Sequence, residues 1–259
     1  MTQRYYDTAI LGATFLGLSA ALNLENVVVI ERGGLFGSEY VANYKICEPK
    51  NINPQTKSGR EFLNDLKERG LISETGEIYP APTVYVLSSF LKDKNIDILL
   101  MTETINIERR DGLFYITVYH TQGYEVIIAK RILDTTTLGI WYNNLEDAEI
   151  SKSLNAIIYN PEKKNIDGLS FNSMNQFYTY SLPVNLDTSR YDAIEMLCDK
   201  EDFRRNGMQI SSIASEFAYK LEPRCVIPED NYIWNPSTAY ANLVEAFERG
   251  AQMAEEVRK

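Results

Sequence analysis

The sequence predicts an α/β fold: a parallel sheet built on a βαβ unit, an antiparallel meander joined to it, and a smaller α+β segment placed before the last helix. Three observations predict it. Residues 6–31 run from a strand through a glycine turn and a small-residue helix into an all-apolar strand. Residues 96–135 alternate in polarity and are broken at Asp111-Gly112 and Gln122-Gly123. Residues 142–225 change character, and an amphipathic stretch over 237–258 closes the chain.

Each element follows from its residues. "YDTAIL" (6–11) is a strand that meets Gly12, "FLGLSAALNL" (15–24) has helical character, and "VVVIE" (27–31) ends an apolar run on an acid, as a buried parallel strand does. Residues 33–60 carry Gly, Asn, Pro and Lys without a period and read as a long loop. Helices are expected over 59–69, stopped by Gly70, and over 81–94. "IDILLMT" is expected as a buried strand, followed by the meander and a short strand "RILDTT". In the next segment "NAIIYN", "QFYTYSLPV" and "QISSIASEFAYKLE" read as strands, with one helix over 188–205 capped by Asp187. The tail helix is expected to begin after Asn235-Pro236, with Ser237 as its N-cap.

The first turn, Gly12-Ala13-Thr14-Phe15-Leu16-Gly17, has the outline of a dinucleotide site. In such a turn the first glycine reverses the chain, the second lets backbone N–H groups approach a diphosphate, and the third lets helix and strand pack closely. The helix start then offers partial positive charge to the phosphates. Gly12 and Gly17 fill the first and third roles, and Thr14 stands in the second, where its hydroxyl is placed to donate to a phosphate. Glu31, at the end of the second strand, is placed to accept ribose hydroxyls and to repel a 2′-phosphate. FAD or NAD fits that carboxylate; NADP does not.

Composition narrows the rest. Net charge is −10, with 26 Lys+Arg against 36 Asp+Glu, which opposes a phosphate backbone and argues against nucleic acid. The apolar runs are strand-sized, so no membrane span is expected. No export signal is visible and the three cysteines are scattered, which predicts a cytoplasmic protein without a disulfide scaffold. One histidine, His120, and no CxxC pair argue against a metal centre.

In order, these segments resemble the FAD-dependent oxidoreductases of the glutathione-reductase-like superfamily. The resemblance implies a Rossmann-like FAD-binding domain over 1–141 and 226–259 and a reduced substrate or cap domain over 142–225. "ERGGLFGSEY" is similar to the family's double-glycine region after the ribose acid, with Arg32, Gly37 and Ser38 beside the cofactor. "TETINIERRDGLFYITV" is similar to the segment whose backbone contacts the adenine, around Thr104 and Ile105. "RILDTTTLG" stands where the family has Ala-Thr-Gly, so Thr135 and Thr136 are expected at the cofactor. "WNPSTAYANLVEAFERGAQMAEEV" is similar to the closing segment that caps the flavin's ribityl chain, which brings in Ser237 and Thr238. Thr14, the threonine run and the missing Gly-Asp before the last helix depart from the family pattern.

The resemblance implies hydride transfer at flavin N5 to or from a small-molecule substrate. In the family the segment "VANYKICEPKN" runs along the flavin, so Tyr44, Lys45 and Cys47 are candidates to line the site, with packed loop residues as the alternative for Tyr44 and Cys47. Tyr219 and Arg224 are candidates to anchor a substrate carboxylate; the alternative for Arg224 is an ion pair with Glu222. His120, beside a meander turn, is expected to be solvated or satisfied there. The other readings are an NAD enzyme and a flavin-fold subunit with a degenerate site that serves as scaffold or partner in a complex. The chain is short for the superfamily, which leaves a second copy or a partner subunit as a source of missing site residues.

Overall fold

The computed structural model describes residues 3–47, 52–140, 150–174, 176–222 and 226–258. β1 (Gln3–Leu11) and β2 (Val27–Ile30) pair in parallel, Thr8 opposite Val27 through Leu11 opposite Ile30. Between them Gly12 turns the chain at φ +97°, a conformation that glycine tolerates, into α1 (Phe15–Leu22). Residues Phe15 to Ala21 are all buried. This helix is apolar all round because the sheet covers one side and the closing helix α7 (Leu243–Arg258) the other. Two glycines set those distances. A Cβ on Gly17 would lie 2.4 Å from the Gly12 carbonyl oxygen, and one on Gly250 would lie 2.1 Å from the Leu16 carbonyl oxygen.

The long strand β6 (Gly123–Asp134) organises the sheet. β1 runs parallel along one of its edges from Gln3 to Leu11. On the other edge its first half pairs antiparallel with β5 (Leu113–His120), and its last three residues pair parallel with β13 (Tyr232–Trp234). "RILDTT" is therefore not a separate strand but the end of β6. β4 (Glu103–Arg110) completes the expected meander, and Asp111 and Gly112 both take positive φ, as a two-residue hairpin requires. β3 (Asp97–Leu99) is only three residues long and partly exposed, against the expectation of a buried strand, because among the described residues it is the sheet's edge and pairs with β2 alone. β12 (Val226–Glu229) forms a hairpin with β13 that the sequence reading missed.

The stretch read as loop contains a four-residue helix, α2 (Ser38–Val41), started by Gly37 at φ +64°. α3 (Lys57–Glu68), capped by the Thr56 hydroxyl, and α4 (Thr83–Leu91) pack beneath the sheet with α1 and α7. Their core is aromatic: the Phe62 and Phe247 rings stack at 4.1 Å, with Phe90 and Phe15 against them.

The second sheet comes from residues 150–221. β7 (Ile150–Tyr159) is its centre, flanked on one edge by β9 (Phe177–Val184) with β8 (Leu169–Asn172) beyond it. On the other edge lie β10 (Gln209–Ile213) and β11 (Ala218–Leu221). "QISSIASEFAYKLE" is thus two strands, which pair with opposite halves of β7. The expected single helix is also two, α5 (Arg190–Cys198) and α6 (Glu201–Arg205), and the Ser189 hydroxyl caps α5 in place of Asp187. Backbone and amide groups dock this sheet onto the end of α2: Ser215 N–H donates to the Ala42 carbonyl at 3.0 Å and Asn155 Nδ2 to the Asn43 carbonyl at 2.9 Å. At the tail, Ser237–Ala239 form a 3₁₀ turn, and Asn242 Oδ1 accepts from the N–H groups of Val244 and Glu245 to start α7.

The α1–α7 approach yields a test. Gly250→Ala adds a methyl where a backbone oxygen stands. Alanine gains about 1 kcal/mol as a helix former, yet the crowding exceeds that gain, and a net loss of roughly 1–3 kcal/mol is expected. Urea unfolding measures it; a variant as stable as the parent would mean that the two helices do not meet this closely.

Candidate cofactor site

The turn after β1 sits where β1, β2 and β6 end together. Four of its N–H groups meet protein acceptors, the first being Gly12 N–H, which donates to the Ile30 carbonyl at 2.8 Å. Ala13 N–H donates to Glu31 Oε2 at 2.8 Å, and Gly17 N–H donates to the Thr14 hydroxyl at 2.9 Å. Phe15 N–H, the first of α1, donates to Glu39 Oε1 at 2.8 Å. Thr14 faces inward as the cap of α1, and its hydroxyl also lies 2.7 Å from that of Thr135. Thr135 in turn donates to the carbonyls of Leu11 and Gly12. Ala13, Thr14 and Phe15 are 1, 7 and 0% exposed.

Glu31 is at the end of β2, as expected. Its second oxygen accepts from Gly33 N–H at 2.6 Å. A carboxylate has about four acceptor positions, so two remain for other donors, and Glu31 is only partly buried. Arg32 is exposed and pairs with Glu103 at 3.0 Å. The segment lying on this strand end is Met101–Thr102, whose N–H groups bond the carbonyls of Gly33 and Glu31. Thr104 and Ile105 are further along in β4, with Ile105 exposed at a bulge.

Glu39 is the residue that sequence reasoning missed. It belongs to α2 and is 6% exposed. Besides Phe15 N–H, its Oε1 accepts from the Ser237 hydroxyl at 2.7 Å, while Oε2 is buried with no partner among the described residues. Burial pushes its carboxyl up to about 7, opposed by the hydrogen bonds from Phe15 and Ser237 and reinforced by the charge of Glu31. No local pattern signals this, because the N–H that Glu39 meets lies on another helix. Gly37 makes the meeting feasible: its N–H donates to the Ala13 carbonyl, and a Cβ there would lie 2.4 Å from the Phe15 ring. Ser38, the first residue of α2, is half-buried.

The end of β6 and the 3₁₀ turn close the site. Asp134, buried and raised by that burial, accepts from Thr136 N–H and hydroxyl, Ile140 N–H and the Tyr232 hydroxyl. Ser237 N–H reaches the Thr135 carbonyl, and the Thr238 hydroxyl lies 3.5 Å from that of Thr137. The Tyr40 hydroxyl donates to the carbonyls of Ser237 and Tyr240, and Lys45 Nζ donates to the Thr238 carbonyl.

Beyond α2 a cavity of about 990 Å³ opens toward the second sheet. Tyr44, Lys45 and Cys47 line it from one side, Tyr79 and Pro80 from another, and Tyr159, Phe171 and Tyr178 from β7, β8 and β9. Tyr44 takes φ +50° and its hydroxyl lies 2.8 Å from that of Ser212 in β10. Cys47 is buried, with its thiol pushed up to about 11 by burial, which keeps it neutral. Tyr219 does not line this cavity. It stands in β11 and packs on the cluster around Leu221 and Trp234. Arg224 lies outside the described residues. His120 is held in the β5–β6 hairpin, 3.3 Å from Glu125. Among the described residues no group of three or more His, Cys, Asp or Glu is placed to hold a metal ion, and no helix is long and apolar enough to cross a membrane.

No protein-family model and no curated protein matches the chain. Solved structures do. Glycine oxidase from Geobacillus kaustophilus superposes with a TM-score of 0.63 at 12% identity, over 98% of this chain and 95% of its own. The p-nitrophenol 4-monooxygenase of Pseudomonas putida DLL-E4 gives 0.62 at 13%, over 98% and 80%. A flavoprotein/dehydrogenase from Cytophaga hutchinsonii gives 0.60 at 11%, over 98% and 79%. The likeness is one of fold. Judged by this chain's own residues, Glu31 fits the ribose of FAD, and the Gly12 turn with the α1 start fits its diphosphate on condition that Glu39 gives up the Phe15 N–H.

Glu39 makes stability depend on pH. Its folded value lies above the ordinary one near 4.5, so the folded chain binds the extra proton. Its contribution is full below pH 4.5 and is lost as pH rises through about 7. The loss is expected to be about 3 kcal/mol. Unfolding at pH 5 and pH 8.5 should show this decline in the parent and a smaller one in Glu39→Gln; Asp134 titrates in both and cancels. Identical declines would remove Glu39 as the source.

Proposed function

We propose that the chain is an FAD-dependent oxidoreductase acting on a small molecule, with residues 142–225 as its substrate or cap domain. The observation that carries this reading is Glu31: a carboxylate at the end of β2, oriented by two backbone N–H groups, with acceptor positions to spare beside the start of α1. When bound, the flavin supplies hydride acceptance and donation at N5. The cavity under the second sheet is at the upper end of the ~300–1,000 Å³ range of ligand pockets, and it lies next to the segment that the resemblance assigns to the flavin.

In this reading the chain's residues bind and orient. Lys45 is held over the Tyr40 ring at 4.7 Å and against the carbonyls of Thr238 and Tyr240, so its charge is fixed at the cavity wall. Tyr44, tied to Ser212, links that wall to the cap sheet. The neutral Cys47 thiol serves as packing, not as a nucleophile. A second reading, the flavin-fold subunit whose site no longer takes a cofactor, is favoured by one observation: a protein carboxylate, Glu39, holds the N–H that a diphosphate would use.

Purification and a visible spectrum separate the two. Flavin bands and release of FAD on denaturation support the enzyme; a colourless protein that ignores added FAD and travels with another chain supports the scaffold. In the flavoprotein, Glu31→Ala is expected to weaken FAD binding by roughly 1–3 kcal/mol, the scale of a charged hydrogen-bonding partner. Titration by flavin fluorescence measures it, and undiminished affinity would contradict the ribose assignment.

A further inference from the structure

Glu39 is a buried carboxylate placed where an anion belongs but built into the chain. It accepts the first N–H of α1 at 2.8 Å and the Ser237 hydroxyl at 2.7 Å through a single oxygen. The other oxygen is buried and unpartnered among the described residues. A charged oxygen left dry and unmet is costly. A proton on that oxygen removes the charge and makes it a donor.

The carboxyl cannot retreat far. Gly37 N–H is bonded to the Ala13 carbonyl at 2.8 Å. Tyr40, the next residue after Glu39, is fully buried, and its hydroxyl is bonded to the carbonyls of Ser237 and Tyr240. Asn43 Nδ2 holds the Glu39 carbonyl at 2.7 Å. A diphosphate held at the start of α1 therefore meets the buried Glu39 carboxyl at close range. Two anions sharing such a crevice cannot both keep their charge.

We propose that Glu39 is a proton-operated gate on the diphosphate position: a dinucleotide is held at the start of α1 only when the Glu39 carboxyl carries a proton, which it takes from solvent. The proposal rests on the cofactor reading above and adds its regulation. The neutral carboxyl yields Phe15 N–H to the phosphate and donates its own O–H to a phosphate oxygen; the ionised one keeps the N–H and repels the ligand.

The groups around Glu39 favour this role. From β2, Glu31 adds a like charge, and from α2 itself the Tyr40 phenol is held neutral, its pKa raised well above the ordinary value by burial. From the 3₁₀ turn comes only the Ser237 hydroxyl, and from α1 the partial charge of the helix start. The ammonium of Lys45, just beyond α2, is bonded to the carbonyls of Thr238 and Tyr240. The Cys47 thiol is pushed up to about 11, and Asp134 and Glu216, both raised by burial, are present alike in the parent and in the Glu39 variants.

The test is FAD binding by flavin fluorescence between pH 6.5 and 8.5, on the full chain, for the parent, Glu39→Gln and Glu39→Ala. In the parent the affinity should fall as pH rises, approaching tenfold per unit above the pKa of Glu39. In Glu39→Gln, which mimics the protonated carboxyl, it should be independent of pH and at least tenfold tighter than the parent at pH 8.5. Glu39→Ala should also lose the pH dependence. FAD affinity that is flat in the parent, or a slope that survives in both variants, overturns the gate and leaves the cofactor reading standing. Failure of all three folded proteins to bind FAD at any pH overturns the cofactor reading, and the gate with it.

Discussion

The start of α1 is the point on which the rest of this structure depends. The helix is buried from its first residue, so its leading N–H groups have no water to turn to and need acceptors from the protein or a ligand. Two side chains supply acceptors there, Thr14 from the turn itself to Gly17 N–H and Glu39 from α2 to Phe15 N–H, while Glu31 at the end of β2 accepts the N–H of Ala13 just before the helix. That demand fixes the surroundings. Gly12 must take a left-handed turn, Gly17 must lack a Cβ against the Gly12 carbonyl, and Gly37 must be bare where the Phe15 ring passes. α7 then closes the far side of the helix at Gly250.

Two carboxylates beside one helix start would be an unstable pairing elsewhere. Here they occupy different environments. Glu31 is partly open and receives two N–H groups, one on each oxygen, whereas Glu39 is sealed in and receives both of its donors on one. The helix start and the hydroxyl of Ser237 offset part of the charge, and a proton offsets the remainder. Two acids close in sequence are thereby given different surroundings: Glu31 accepts one backbone N–H on each oxygen, and burial pushes the Glu39 carboxyl up to about 7.

Much of the fold was legible because it is written locally. The βαβ unit, the Asp111-Gly112 hairpin and the amphipathic tail each declare themselves within a dozen or so residues. The misses share a cause. β3 reads as buried but is an edge strand, and "RILDTT" reads as separate but continues β6, because strand partners are chosen by the sheet and not by the strand. Asp187 lost the cap of α5 to Ser189, two acceptable caps whose choice depends on where the helix packs. At the site, Gly12, Gly17 and Glu31 were visible by spacing. Glu39 and Asp134 were not, since each acts on groups that only the folded sheet brings near.

The threonines illustrate the same point. In the sequence, Thr14 and the Thr135–Thr137 run look like losses from a glycine-rich pattern. In the structure Thr14 caps α1 and bonds Thr135, which bonds the carbonyls of Leu11 and Gly12. The pair ties the ends of β1 and β6 to the helix that starts between them. A glycine at 14 would lack both the cap and this tie. The Phe15 N–H that follows this cap is answered from α2 by a single carboxyl oxygen of Glu39, which the Gly37 N–H bond to the Ala13 carbonyl brings alongside.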